Sequence, residues 1–241
     1  MDEELDQLCK QLGLHRMREV MGREMERATR AKVSYRDVVA ALLREQYAWQ
    51  RERSFEYRVK ASRLPERLSL DTFPFEKQPG VDAAVVRQLG SLGFVPTAEN
   101  VVLIGPTGVG KTGIASGLLL RALENGYRGL FMPAQDLFDE LLTSLADKST
   151  RKLLNYLKAV DVLVIDEMGY LNLRPEQTNI FFRLMEERYN RKSTILTTNL
   201  EYDDWYSFLG RKEMVGALLD RLRHRCTTLR IDGPSLRQPT A

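Results

Sequence analysis

The sequence predicts an α/β fold: a parallel five-stranded sheet flanked by helices, preceded by a small all-α domain. Three observations carry this. Residues 105–112 read Gly-Pro-Thr-Gly-Val-Gly-Lys-Thr, a G-x-x-x-x-G-K-T loop set between an apolar run and a helical pattern. Short apolar runs and helical stretches then alternate to the C-terminus, as they do when strands are covered by helices on both faces. Residues 1–64, by contrast, carry only helical periodicity.

In the first region Leu5, Leu8 and Leu12, then Met17, Val20 and Met21, recur at helical spacing. Ser34-Tyr35-Arg36-Asp37 has the form of a capping box. A long helix is expected from there toward Ser62, with Tyr35, Val38, Leu42 and Trp49 on one side. Arg44, Arg51 and Arg58 stand seven residues apart, so they fall on one line about 21 Å long. Such a line can follow a nucleic-acid backbone. It can equally be a solvated ridge paired with Glu45, Glu52 and Glu56. Residues 27–67 hold eleven Lys/Arg against five Asp/Glu, a net of +6, and this clustering favours the polyanion contact.

Pro65 to Gly80 contains three prolines and reads as a linker. Its Phe73 and Phe75 can pack on a nucleotide base or staple two domains. The expected organisation is thus a helical DNA- or partner-binding domain over 1–64, a linker over 65–80 and a nucleotide-binding domain over 81–241. Within the last, strands are expected at Asn100–Ile104, Gly126–Met132, Asp161–Ile165, Ser193–Thr198 and Thr227–Ile231. Helices are expected at Ile114–Ala122, Asp136–Ala146, Arg151–Lys158, Glu176–Asn190 and Glu213–Arg223.

The chemistry follows from where motifs sit on this alternation. Gly105, Pro106, Thr107, Gly108, Val109, Gly110, Lys111, Thr112 and Gly113 form a loop whose backbone N–H groups can cradle phosphate oxygens at a helix N-terminus. Lys111 can reach β- and γ-phosphates, and Thr112 can hold Mg²⁺. Val162-Leu163-Val164-Ile165-Asp166-Glu167 is an apolar strand ending in two acids. Buried carboxylates are costly unless paired or metal-linked, so Asp166 is a candidate Mg²⁺ contact and Glu167 a candidate base for a water attacking the γ-phosphate. Asn199 closes the strand Thr194–Thr198, and strand ends in such sheets converge on the ligand. It can hold the attacking water or touch the γ-phosphate. Arg221, with Arg223 and Arg225 as competitors, lies in a cation-dense helix end and is the first choice for an arginine supplied to a neighbouring subunit's γ-phosphate.

Composition excludes several classes. No run approaches the length of a membrane span, and the acidic start Met1-Asp2-Glu3-Glu4 has no secretory apolar core. Cys9 and Cys226 are far apart and in no ligand spacing, which fits a reduced, cytoplasmic protein. With only His15 and His224, a histidine-based metal site is not expected.

Taken in order, these motifs resemble the initiator and loader clade of AAA+ ATPases. They resemble most closely the IstB family, helper ATPases of bacterial insertion-sequence transposases. The likeness runs through Glu99–Gly105, Asp166–Leu171, Arg188-Tyr189, Thr198-Asn199, Trp205 and Leu219–His224. It ends in Gly233-Pro234-Ser235-Leu236-Arg237, close to the family's Gly-x-Ser-Tyr-Arg. Leu236 replaces the usual aromatic, and Gly113-Ile114 stands where His-Leu is commoner; neither touches the catalytic groups.

The resemblance implies an ATPase using ATP and Mg²⁺ that self-assembles on duplex DNA with little sequence preference. It further implies bending of target DNA, recruitment of a transposase, and hydrolysis that times disassembly in the bacterial cytoplasm. Lys148, Arg151 and Lys152 would lie on or beside an extra helix that faces DNA in that clade. A replicative helicase loader of the DnaC type shares every ATP motif and differs in partner. The basic stretch over 27–67 and the chain-long pattern favour the transposition helper. Ten residues follow Ile231, so a full helical lid is not expected, and Arg237 is a poor substitute for a lid's arginine.

Overall fold

The computed structural model describes residues 3–210 and 212–237. The chain divides into two compact units, Met1–Tyr57 and Arg58–Ala241.

The first unit contains α1 (Glu3–Gln11), α2 (His15–Ala31) and most of α3 (Tyr35–Ala61). Its small core is Cys9, Val20, Met21 and Leu42, with Leu14, Met17 and Val38 packed around it. Gln46 is buried there and is satisfied by the backbone: its Oε1 accepts from the Met17 N–H at 3.0 Å, and its Nε2 donates to the Gly13 carbonyl at 3.4 Å. Ser34 caps α3 as its sequence suggests, accepting from the Asp37 N–H at 3.2 Å. Tyr35 stands at the exposed start of that helix, so the apolar side begins effectively at Val38.

The second unit is built from α4 (Ala83–Gly90), β1 (Asn100–Ile104), α5 (Lys111–Glu124), β2 (Gly129–Pro133), α6 (Ala134–Ala146), α7 (Thr150–Ala159), β3 (Val162–Met168), α8 (Pro175–Arg188), β4 (Ser193–Thr198), α9 (Trp205–Leu209), α10 (Lys212–His224) and β5 (Cys226–Arg230). The five strands are all parallel, in the order β2-β3-β4-β1-β5. Strand side chains alternate in direction. Val102, Ile104, Leu130, Met132, Leu163, Ile165 and Leu196 join a core with residues of α6, α7, α8 and α10. Val101, Leu103, Phe131, Val164 and Ile195 face the opposite way and are also buried. The β2 edge is partly closed by the Phe131 N–H donating to the Ser62 carbonyl at 2.7 Å.

Some boundaries differ from expectation for local reasons. The second strand starts at Gly129, not Gly126, because α5 ends in a left-handed Gly126 (φ +91°) and the Tyr127 N–H returns to the Ala122 carbonyl. The third strand runs on through Asp166 and Glu167 to Met168, because a register shift after Ile165 lets pairing resume at Met168–Thr198. The P-loop helix begins at Lys111, since the loop leads directly into its first turn. The segment 65–80, read as a linker, is folded: two 3₁₀ turns, Leu70–Thr72 and Phe75–Lys77, lay it against α5 and the P-loop. Leu70 fills the space beside Gly117, where a Cβ would come within 2.7 Å of its side chain.

Among the described residues no helix is long and apolar enough to cross a membrane.

Candidate active site

The loop Gly105–Gly110 leaves the carboxyl end of β1 and enters α5, the place where open α/β sheets bind ligands. Gly110 caps α5 in a left-handed conformation (φ +97°) that a side chain would strain. Lys111 is half-buried and donates from Nζ to the carbonyls of Gly105 (2.8 Å) and Pro106 (2.7 Å). Burial pushes its pKa down and Arg237 adds to this, while Asp166 and Glu167 oppose it.

Asp166 is 5% exposed. Its carboxylate accepts from the Thr112 hydroxyl at 3.0 and 3.2 Å and from the Thr197 hydroxyl at 2.5 Å. Burial raises its pKa; the Thr197 and Thr112 hydrogen bonds pull the other way. Thr112, which lines the cleft, and the buried Asp166 behind it thus bring hard oxygen atoms together, a set that suits Mg²⁺.

Glu167 is turned away from the sheet. Between Ile165 and Met168 the third strand advances three residues while β4 advances two, from Leu196 to Thr198, so one residue is inserted as a bulge. Glu167 has φ +62°, and its N–H donates to the Thr197 hydroxyl at 2.9 Å. Its side chain is exposed in the cleft, whereas that of Asp166 is buried. A non-glycine residue in this conformation costs about 1–3 kcal/mol and persists because the surroundings hold it. Thr197, buried in the middle of the arrangement, therefore serves both acids at once.

Asn199 follows β4 and lines the same cleft. Its Oδ1 is buried without a hydrogen-bond partner among the described residues. It lies against Gly169, where a Cβ would sit 2.7 Å from that oxygen. Tyr170 crosses the mouth, its hydroxyl 2.8 Å from that of Thr107. The cleft, about 650 Å³, is further bounded by Leu68 from the folded segment and by Leu236 and Arg237 from the C-terminal tail. Its size suits a nucleotide. The loop N–H groups and Lys111 fit a triphosphate there, and the unpartnered Asn199 Oδ1 can accept from a water beside it.

Arg221 lies elsewhere. With Asn100, the first residue of β1, it lines a second cavity of about 350 Å³ that also draws on α8. Its Nη1 pairs with Glu186 Oε1 at 3.2 Å. Arg223 stacks over the Tyr202 ring, 5.0 Å from its centroid, and Arg225 donates to the Thr97 carbonyl at 3.2 Å.

The candidate DNA residues fall in three settings. Arg44 and Arg51 are exposed on α3 in the first unit. Arg58 belongs to the second unit and is half-buried, its Nε donating to the Leu123 carbonyl at 2.9 Å. Lys148, Arg151 and Lys152 are exposed together, in the turn after α6 and the first turn of α7.

Tyr170 and Leu68 line the cleft and Thr197 lies behind it, and no role was expected of any of them from the sequence. Its place near the end of the apolar run Thr194–Thr198, just before Asn199, is the one signal that was available for Thr197. The others arrive by contacts far apart in sequence.

The chain matches the family described as IstB-like ATP binding protein over residues 7–241. It is 38% identical to a Pseudomonas aeruginosa protein named for insertion sequence IS21 and for ATP binding, over 97% of this chain and 88% of that protein. Among solved structures it is similar to DnaI, with a TM-score of 0.60 at 22% identity over 69% of this chain and 92% of that one. It is also similar to the DnaC helicase loader, with a TM-score of 0.54 at 26% identity over 62% and 88% of the two chains. The DnaI likeness speaks for the fold alone.

Proposed function

The chain belongs to the IstB-like ATP-binding proteins, and from that premise we propose that it is an Mg²⁺-dependent AAA+ ATPase that assembles on duplex DNA when ATP is bound. The assembly remodels target DNA and recruits a transposase, and hydrolysis times its disassembly. The observation that carries the self-assembling reading is the separation of Arg221 from its own P-loop. Arg221 sits by Asn100, at the amino end of β1, and the loop leaves the carboxyl end five residues later. That strand is about 16 Å long, beyond the reach of an arginine side chain. A second copy can offer this arginine where the first copy cannot.

Within one chain the groups divide the work. The loop N–H groups and Lys111 hold the β- and γ-phosphates. Thr112 and Asp166 are the residues that would hold Mg²⁺, which supplies charge neutralisation on the phosphate oxygens. Asn199 orients a water, and Glu167 accepts its proton as the water oxygen bonds to the γ-phosphorus and the bond to the β–γ bridging oxygen breaks, releasing ADP. Arg221 of a second copy stabilises the charge that develops on the transferred group.

Lys148, Arg151 and Lys152 support the DNA contact. Two of these cations stand in the first turn of α7, where the helix dipole disfavours positive charge by about 0.3–1 kcal/mol. Their placement is repaid by a polyanion. Arg44 and Arg51 extend the same reading to α3, whereas Arg58 is already engaged by a carbonyl. Such contacts recognise phosphate and carry no base information.

Mixing two inactive variants tests the shared site. Lys111→Ala keeps the arginine and loses the nucleotide, and Arg221→Ala does the reverse. Their mixture should regain ATPase activity on duplex DNA. No recovery at any mixing ratio would remove Arg221 from the neighbour's site. A second reading, a helicase loader, draws on the likeness to the DnaC helicase loader. It predicts ATP-dependent binding to a replicative helicase and none to duplex DNA.

A further inference from the structure

One side chain spans the nucleotide cleft from wall to wall. After the bulge at Glu167 the chain pairs once more with β4, at Met168, and then turns through Gly169 (φ +115°) into Tyr170. Glu167 and Gly169 both have positive φ, so the paired residue between them is flanked by two reversals. The second reversal needs glycine for two reasons. Its φ strains any side chain, and a Cβ there would lie 2.7 Å from Asn199 Oδ1 and 2.7 Å from the Leu200 side chain. The Thr198 hydroxyl donates to the Met168 carbonyl at 2.8 Å and accepts from the Leu200 N–H at 3.0 Å. It thus ties this turn to the end of β4, as Thr197 ties the turn before it.

Tyr170 is delivered by that turn to the mouth of the cleft. Its side chain is 57% exposed, so packing does little to hold it. Thr107 holds it instead, hydroxyl to hydroxyl at 2.8 Å. Thr107 is the third residue of the loop that leaves β1, and Tyr170 follows the acids of β3. In the sheet β4 lies between those two strands, so the bridge reaches across its carboxyl end, where Asn199 stands. Thr107, Glu167, Tyr170 and Asn199 all line the one cleft.

The bridge leaves a donor free. Two hydroxyls hold two hydrogens, and a single bond between them uses one. Among the described residues neither hydroxyl makes another hydrogen bond. A phenol is a stronger donor than an alcohol, and the strong donor goes to the strong acceptor. Thr107 then donates to Tyr170, and the Tyr170 O–H points its hydrogen at an anion. Neither hydroxyl carries charge, so the pair adds no general attraction for phosphates. It serves only the phosphate that reaches it.

Resting on the reading that the P-loop binds ATP, we propose that the Tyr170 hydroxyl, oriented by Thr107, binds the terminal phosphate and so distinguishes the triphosphate from the diphosphate. The loop N–H groups and Lys111 serve both nucleotides. Tyr170 stands on the side of Glu167 and Asn199, where the γ-phosphate is attacked, and ADP offers it no acceptor.

The test is calorimetric titration of the full chain, without DNA, with ADP and with a non-hydrolysable ATP analogue, for wild type, Tyr170→Phe and Lys111→Ala. Tyr170→Phe keeps the ring and removes only the hydroxyl. It should weaken the analogue about 10-fold and leave ADP within about 2-fold, because a hydrogen bond to a charged group is lost only where that group is present. A merely structural role would move both nucleotides together. Equal weakening of both, or of neither, while Lys111→Ala loses both, keeps the P-loop reading and overturns the Tyr170 contact. Lys111→Ala that binds both nucleotides like wild type overturns the P-loop reading and this proposal with it. A Tyr170→Phe defect that appears only when duplex DNA is added moves Tyr170 to a DNA or subunit contact and likewise overturns the proposal.

Discussion

Replacing Thr197 with Val removes one hydroxyl and keeps the side chain's shape. That hydroxyl is fully buried, donates to Asp166 Oδ1 and accepts from the Glu167 N–H. A hydrogen bond to a charged group contributes about 1.5–3 kcal/mol, and a buried N–H left without a partner costs about 1–3 kcal/mol. Burying the added methyl returns about 0.8 kcal/mol. The net expectation is about 2–5 kcal/mol of lost stability, or roughly 4–20 °C in melting temperature for a chain of this size. The functional effect is separate. Without Thr197 the Asp166 carboxylate loses one of the two hydrogen bonds that oppose its burial, and the left-handed Glu167 loses the acceptor that holds its backbone. Both the metal contact and the base should be misplaced. A displacement worth about 1.4–2.8 kcal/mol lowers kcat by about 10- to 100-fold. The assays are thermal melting and steady-state ATP hydrolysis across a Mg²⁺ series, with Thr197→Ser as the control that keeps the hydroxyl. Thr197→Val should melt lower, need more Mg²⁺ and turn over slowly, and the serine variant should stay near wild type. A valine variant with wild-type melting, Mg²⁺ dependence and kcat would refute the idea that this hydroxyl organises the two acids.

Glu167→Gln should abolish turnover, read by phosphate release, while ATP-dependent assembly on DNA persists; normal hydrolysis would remove Glu167 as the base. Arg188 is almost wholly buried, its guanidinium donating to the carbonyls of Leu157, Val160 and Ser193 and to the Thr194 hydroxyl. Burial brings its pKa down to about 9, so it stays charged at neutral pH. Arg188→Ala should cost about 3–5 kcal/mol in urea unfolding, since four acceptors lose one donor. Asp161 is opposed by burial, but Lys192 and the Arg128 N–H outweigh this and hold its pKa below the usual value. A depressed carboxylate stabilises the fold above its unfolded pKa and loses that contribution as pH falls through the folded value. Acid titration of stability should therefore be flatter below about pH 4 in Asp161→Asn than in wild type. Finally, alanine at Lys148, Arg151 or Lys152 should weaken duplex binding and lower the slope of log affinity against log salt by about 1 each; an unchanged slope would take that residue off the DNA.

The groups legible in the sequence were those whose partners are local. The P-loop needs only a strand before it and a helix after it, and both lie within twenty residues of Lys111. The first and fourth strands, Asn100–Ile104 and Ser193–Thr198, stand out as apolar runs because both their faces are buried. What escaped was fixed by distant contacts. Gln78 meets Pro234 across 156 residues, and no periodicity encodes that. The bulge at Glu167 arises from the register of β3 against β4, and an unbroken apolar strand gives no sign of it. The helices α4 and α9 are too short to display a period, although Asp82 caps the first by accepting from the Ala84 and Val85 N–H groups. Proline at three positions marked 65–80 as a linker; the same rigidity suits it to the fixed turns that carry Leu70 to α5 and Phe73 to the P-loop.

Occupancy of this P-loop is proposed to decide assembly on DNA. Electron microscopy of the chain with duplex DNA, with and without a non-hydrolysable ATP analogue and Mg²⁺, tests it most directly. Discrete multi-subunit particles on DNA that require the analogue and vanish in Lys111→Ala are the expected result. Monomers on DNA with the analogue present, or particles indifferent to it, would contradict the account.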